Sequence, residues 1–380
     1  MDVMLDGPSL ADLAGKTGLK YFTVAFVLGD TSGCSPSWGG QKPIDDPKII
    51  ENIRGLQKIG GQVVVATGGA MGPYLESICK TASDLTEAYL KILDTVKTDH
   101  LDIDIEAAVP LDVVTKALKM VQEKRPQVTV RFTLMVQGDD YGLTPELGVK
   151  LLEKCKANGL RVDIVNPMTM EYGTSKSDWG EAVIAALESV LGQMKKIWPE
   201  KSTPTLYAML GATPMIGRNF NGKIFNQIHA KQLVNYAESH KIGYLGFWSV
   251  GRDNGQCPGG GISPQCSSIK QEDYDFSKIF AKYDEPLGDR NTSIDRPTEP
   301  DLEPTETEAP EKSTPKPSSE CKGREKRFDE WCVANCAVGY CPPDFCACGQ
   351  KSDGRSEANK PAKPDSKAGP KVPMEEENDI

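Results

Sequence analysis

Over residues 1–283 of this 380-residue chain, short apolar, β-branched runs alternate with segments of helical period, and this alternation limits the fold more than any other feature. The runs fall at residues 3–5, 22–28, 62–67, 101–106, 128–136, 162–170, 205–210 and 244–250. Helix-period segments lie between them, at 47–59, 84–96, 111–124, 145–158, 179–197 and 229–240, with Gly60, Gly61 and Gly159 placed as helix stops. Strands that each lead into a helix predict an α/β fold, specifically a (β/α)8 TIM barrel. A doubly wound open sheet is the other architecture that alternates in this way. It usually carries a glycine-rich phosphate loop after its first strand, and Asp6, Gly7, Pro8 and Ser9 do not form one.

The rest of the chain has a different composition. Residues 284–320 hold 11 acids, 4 bases and seven prolines, the pattern of an extended, disordered linker. Most of the chain's net charge of −10 comes from there. That balance disfavours nucleic acid and anionic membranes as partners, and no run is long enough to span a bilayer. Residues 321–349 form a Cys-rich module with Cys321, Cys332, Cys336, Cys341, Cys346 and Cys348. Neither Cys-x2-Cys pairs nor nearby histidines are present for zinc, so a disulfide framework is expected, in any of about 15 connectivities. Disulfides imply a secreted, extracellular protein. The chain nevertheless opens without a signal peptide, and its first strand abuts Met1, so an incomplete N-terminus is expected. Residues 350–380 read as a disordered tail, and Asn291-Thr292-Ser293 is a glycosylation sequon in the linker.

The chemistry concentrates in Asp99-His100-Leu101-Asp102-Ile103-Asp104-Ile105-Glu106. On a strand, Asp102, Asp104 and Glu106 share one face, about 6–7 Å apart along the chain. Three acids crowded inside a barrel repel one another and resist ionisation together, so shared protons and separated pKa values are expected. A glutamic acid kept protonated at the C-terminal end of such a strand has what a general acid needs. Asp99 has the opposite parity, which gives it a structural role. His100, His229 and His240 do not cluster, so no metal site and no cofactor are expected.

Asp99-x-x-Asp102-x-Asp104-x-Glu106 at the end of a barrel strand resembles the signature of glycoside hydrolase family 18, the chitinases. Ala66-Thr67-Gly68-Gly69 is similar to the family's Ser-x-Gly-Gly, Met168-Thr169-Met170-Glu171-Tyr172-Gly173 to its sixth-strand motif, and Phe247-Trp248-Ser249 to its eighth strand. The segments around Phe22, from Cys34 to Gly40, from Thr213 to Gly217 and from Trp248 to Asp253 resemble the archaeal and bacterial chitinase A-like branch. The likeness covers residues 1–255. The departures are Ala66 for Ser, His100 for Gly, Glu171 for Asp, and Phe220 where the branch tends to carry Asp.

The resemblance implies an endo-acting chitinase that hydrolyses β-1,4 bonds between N-acetylglucosamine units with retention, assisted by the substrate's own acetamido group. In that scheme Glu106 is acid and then base. Asp104 holds the acetamide N–H, Asp102 shares a proton with Asp104, Tyr172 binds the acetamide carbonyl and Trp248 lies beneath the −1 sugar. Met168 and Met170 line the interior and Trp38 is an expected outer-subsite platform. A chitin-oligosaccharide lectin and an endo-β-N-acetylglucosaminidase acting on glycoproteins share the scaffold; the lectins usually lack the acid that Glu106 supplies. Chitin and its oligosaccharides are the expected partners of a monomer. Cys34 with Cys79, and Cys257 with Cys266, are disulfide candidates, leaving Cys155 as a buried thiol. In the Cys-rich module Trp331, Tyr340 and Phe345 either form a sugar-stacking platform, making it a chitin-binding module, or fill its small core.

Overall fold

A computed structural model describes residues 1–30, 33–257, 261–283, 321–323 and 346–348. In chain order the strands are β1 (Tyr21–Asp30), β2 (Gly33–Trp38), β3 (Lys42–Pro43), β4 (Gln62–Gly68), β5 (His100–Ile105), β6 (Thr129–Gly138), β7 (Gly142–Leu143), β8 (Ile164–Met168), β9 (Gly211–Ala212), β10 (Gly217–Arg218), β11 (Ile224–Phe225) and β12 (Tyr244–Leu245). Long helices separate the parallel strands: Pro47–Lys58, Ala82–Val96, Leu111–Lys124, Trp179–Ile197 and Gln227–His240.

Local chemistry starts these helices. Asp46 accepts the Ile49 N–H ahead of Pro47, Asp178 accepts the Glu181 N–H, and Asn226 forms a reciprocal capping box with His229. One expected strand fails for the same reason. Residues 205–210 look β-prone, yet Thr203–Met209 is a helix, because Ser202 caps it through the Thr205 N–H and Pro204 sits in its first turn. The strand that follows is only Gly211–Ala212. Residues 3–5 likewise form no strand; a single parallel bridge joins Asp2 to Ala25.

β1, β4, β5, β6 and β8 pair in parallel in that order. Bridges from Val165 to Leu210 and from Met168 to Thr213 continue the series to β9, which pairs in parallel with β12. The series curls far enough that Thr23 of β1 and Tyr244 of β12, near its two ends, lie 3.4 Å apart through their hydroxyls. Among the described residues no backbone pairing joins β12 to residues 1–3. A cavity of about 130 Å³ lined by Met1, Tyr21, Thr23, Tyr244 and Phe247 lies between those ends. Outward-facing residues of the strands, such as Leu101, Ile103 and Ile105, are fully buried against the helices.

Two disulfides, Cys34–Cys79 and Cys257–Cys266, tie loops to this body, and Cys155 is a buried free thiol. Of the Cys-rich segment, only two short strands are described: β13 (Cys321–Gly323) and β14 (Cys346–Cys348), which pair antiparallel with Cys321 opposite Cys348. The linker and the tail lie outside the described residues, as do the bridges and aromatics expected of the module.

Candidate active site

The site grows from parallel register. Asp102 of β5 stands level with Ala66 of β4 and Arg131 of β6, and Asp104 with Gly68 and Thr133. All of these therefore share the face that carries the acids. Gly68 and Gly69 have to be glycines. A Cβ on Gly68 would stand 2.0 Å from the Asp104 carbonyl oxygen and one on Gly69 within 2.9 Å of the Phe26 ring, and both have positive φ. The Gly69 N–H donates to that same Asp104 carbonyl at 3.0 Å, fixing the end of β5 from which Glu106 projects.

The three acids have different surroundings. Asp102 is buried, and its carboxylate accepts from Arg131 Nη2 at 2.7 Å and from Thr133 Oγ1 at 2.8 and 2.9 Å. Asp104 is also buried, but its Oδ1 has no hydrogen-bond partner among the described residues. Burial first, then the charges of Glu106 and Asp102, raise its pKa well above the carboxylate range. Glu106 is half-buried at the mouth, and burial pushes its pKa up to about 7. A group poised there is protonated enough to give a proton and weak enough as an acid to take one back. Of the three acids, Asp102 is the one paired with the buried Arg131 guanidinium.

Tyr172 is 1 % exposed; its ring packs on Trp179 with centroids 4.7 Å apart, and its hydroxyl has no partner among the described residues. Burial and then Asp139 push its pKa up, so it is a neutral hydrogen-bond donor. Trp248 is half-buried and stacks on Phe26, centroids 5.7 Å apart. Met168, the last residue of β8, is buried, and Met170, two residues beyond it toward Tyr172, is half-buried. Trp38 departs from expectation. It has no exposed surface, and its indole N–H donates to the Ile44 carbonyl at 2.9 Å, so it is core and offers no face to a sugar.

The two departures Glu171 and Phe220 are physically linked. Glu171, at φ 63°, accepts the backbone N–H groups of Phe220 and Asn221 at 3.0 and 2.9 Å. Asn221 Nδ2 in turn donates to the Tyr172 carbonyl. This clamp holds Phe220 at the surface beside Tyr172, 43 % exposed. Arg252 and Asp253 tie down loops. Arg252 donates to the carbonyls of Ile216, Arg218 and Ser263, and Asp253 accepts from Gln271 and from the N–H groups of Phe276 and Ser277.

Sequence reading passed over Arg131, Thr133 and Gln137, polar residues at period two on β6. The flanking Val130, Phe132, Leu134 and Val136 make the run look uniformly apolar, although the parity that exposes the acids would have found them. Tyr74 was also missed. It donates to the Gly69 carbonyl and lies close enough to Glu106 and Asp104 for both to act on its hydroxyl. Among the described residues no group of His, Cys, Asp and Glu could hold a metal ion.

No family model matches the chain. It is 33 % identical over 300 residues, 73 % of its length, to a probable bifunctional chitinase/lysozyme of Escherichia coli (strain K12). It is 32 % identical over 267 residues, 65 % of its length, to endochitinase 11 of Metarhizium anisopliae. The chain spans 33 % and 50 % of those two proteins' lengths. Against the solved catalytic domain of a hyperthermophilic chitinase from Pyrococcus furiosus it is 41 % identical with a TM-score of 0.70, covering 74 % of this chain and 92 % of that one. Catalytic-site mutants of active domain 2 of the Pyrococcus enzyme are solved in complex with chito-oligosaccharides. The chain belongs to glycoside hydrolase family 18, the chitinases.

Proposed function

We propose that the protein is an endo-acting chitinase that cleaves β-1,4 bonds between N-acetylglucosamine units with retention of configuration. The observation that carries this reading is the arrangement at the end of β5: Glu106 follows the buried Asp104, burial raises the pKa of both, and the Tyr172 hydroxyl, without a partner among the described residues, is placed as donor. Glu106 protonates the glycosidic oxygen. The substrate's acetamido oxygen attacks C1 and gives an oxazolinium ion. Asp104, whose Oδ1 has no partner among the described residues, takes the acetamide N–H and stabilises the developing positive charge. Tyr172 donates to the acetamide oxygen, and the Trp248 face lies under the −1 sugar. Glu106 then draws a proton from the water that opens the oxazolinium. Met168 and Met170 fill the space beneath the sugar. Trp38 has no part in binding.

We also read the seven parallel strands, with the bridge from Asp2 to Ala25 marking an eighth position, as a (β/α)8 barrel, supported by the approach of Thr23 to Tyr244. The disulfides Cys34–Cys79 and Cys257–Cys266 support a secreted protein, and we read it as a monomer acting on chitin. Residues 284–320 are then a linker, 321–349 a disulfide-rich chitin-binding module and 350–380 a tail. Turnover of a fluorogenic chitotrioside beside a glycoprotein substrate tests the function. Chitotrioside cleavage that Glu106→Gln removes supports it; cleavage of the glycoprotein alone points to an endo-β-N-acetylglucosaminidase, and tight sugar binding without turnover to a lectin.

A further inference from the structure

Below the acids, one polar network crosses the structure from β1 to β9. Arg131 Nη2 donates to Thr23 Oγ1 and to Asp102 Oδ2, both at 2.7 Å. Its guanidinium lies over the Tyr244 ring, 4.0 Å from the centroid. Thr133 Oγ1 donates to Asp102 and accepts from Asn166 Nδ2 at 2.9 Å. Asn166 Oδ1 accepts from Thr213 Oγ1 at 3.0 Å, which fixes the orientation of its amide. The side chains of Arg131 and Asp102 are only 6 % and 4 % exposed.

From this geometry we propose that Arg131 is a positioning residue for hydrolysis: by keeping Asp102 an anion, it puts the proton shared by the two aspartates on Asp104, the one next to Glu106 and the substrate. The proposal rests on the chitinase reading above. A buried carboxylate needs a partner cation and satisfied oxygens, and Asp102 has both. A proton on Asp102 would break a buried ion pair and leave Arg131 a buried charge without its counterion. Asp104 has no such partner. The groups that act on it are Glu106 and Asp102 on its own strand, Arg131 from β6 and Tyr74 from the segment after β4. With the proton there, Asp104 can donate to Asp102 or turn toward Glu106 without uncovering a charge.

Arg131 also ties Thr23 to Tyr244, so loss of stability alone would not distinguish the two roles. The pH dependence of kcat/KM on a chitotetraose does. Removing a cation this close to a carboxylate raises carboxyl pKa values by about 1–3 units. In Arg131→Met the lower limb of the profile therefore moves up by about 1–3 pH units, because the aspartate pair takes its second proton at higher pH. Arg131→Lys, which keeps the charge, holds the limb near the wild-type position. In an Asp102→Asn background, Arg131→Met moves the limb no further. A folded Arg131→Met enzyme that is slower but has an unmoved limb would overturn the proposal and leave Arg131 as a structural tie. Should Arg131→Met not fold, carbon-13 NMR of the aspartate carboxyls in the wild-type protein at pH 6 decides the matter. Asp104 protonated and Asp102 ionised agrees with the proposal; the reverse refutes it. A wild-type protein that does not cleave chitotetraose would refute the chitinase reading, while the same NMR on wild type and Arg131→Met still tests Arg131, an Asp102 that titrates no higher in the variant refuting the proposal.

Discussion

Asp102 and Glu106 leave the same face at the end of β5, yet their surroundings differ, one set against a buried guanidinium and the other half-buried at the mouth. Around Asp102 the protein supplies a cation and a hydroxyl donor, both buried. Around Glu106 burial pushes the carboxyl up to about 7. Spacing on a strand therefore brings acids together but does not assign their roles. The neighbouring strand adds a difference, because Arg131 stands level with Asp102 and ion-pairs with it.

Removing the mouth acid is the strongest way to break this contrast. Glu106→Gln should lower chitotrioside turnover by at least about 10²–10⁴-fold, the usual contribution of general acid–base catalysis, while oligosaccharide binding by tryptophan fluorescence persists. Residual turnover above about a tenth of wild type would show that another group gives the proton.

The same substitution should change stability in a pH-dependent way. Glu106 holds its proton more tightly folded than unfolded, with a pKa of about 7 against 4.5. Its contribution to stability is therefore fully present below about pH 4.5 and is lost as pH rises through about 7. Glutamine does not titrate. Glu106→Gln should thus gain on wild type by up to about 3 kcal/mol between pH 4 and pH 8, at 1.36 kcal/mol per unit. Thermal melts at the two pH values check this; an equal difference at both would mean that Glu106 titrates normally.

Smaller effects sharpen the comparison. Tyr172→Phe removes an unpartnered hydroxyl but keeps the ring on Trp179, so turnover should fall about tenfold, a hydrogen bond's worth, with no loss in melting temperature. A parallel loss of stability would place the hydroxyl in the fold instead. Phe220→Ala should have the least effect. It raises KM for long chito-oligosaccharides by about 2–10-fold, the value of one stacked ring, and leaves that for the shortest unchanged. An unaltered KM for every length would remove Phe220 from the binding surface.

How much of this could be read from the residues follows from how local each signal is. The acids are legible because Asp102, Asp104 and Glu106 repeat at the strand period, with Leu101, Ile103 and Ile105 marking the buried side. Cys34 and Cys79 were legible as partners because both follow strands that end on the same side. Arg131 was not, since its partner lies on another strand 29 residues away in sequence, and only register brings the two level. Trp38 reads as a sugar platform from its place after β1, yet an indole beside a carbonyl is buried as readily as exposed, and Ile44 supplies the carbonyl. Thr203–Met209 misleads because its apolar residues suit either structure, while Ser202 and Pro204, which decide it, are two small cues at one end. The link between Glu171 and Phe220 crosses 49 residues and becomes visible only once both loops have folded.

The most direct test of the contrast along β5 is a carbon-13 titration of the side-chain carboxyls in the wild-type protein and in Glu106→Gln. The account predicts a glutamate resonance with its midpoint near pH 7 that is missing from the variant. If no glutamate titrates above about pH 6, or if the resonance near 7 survives in Glu106→Gln, the proton does not reside where this mechanism needs it.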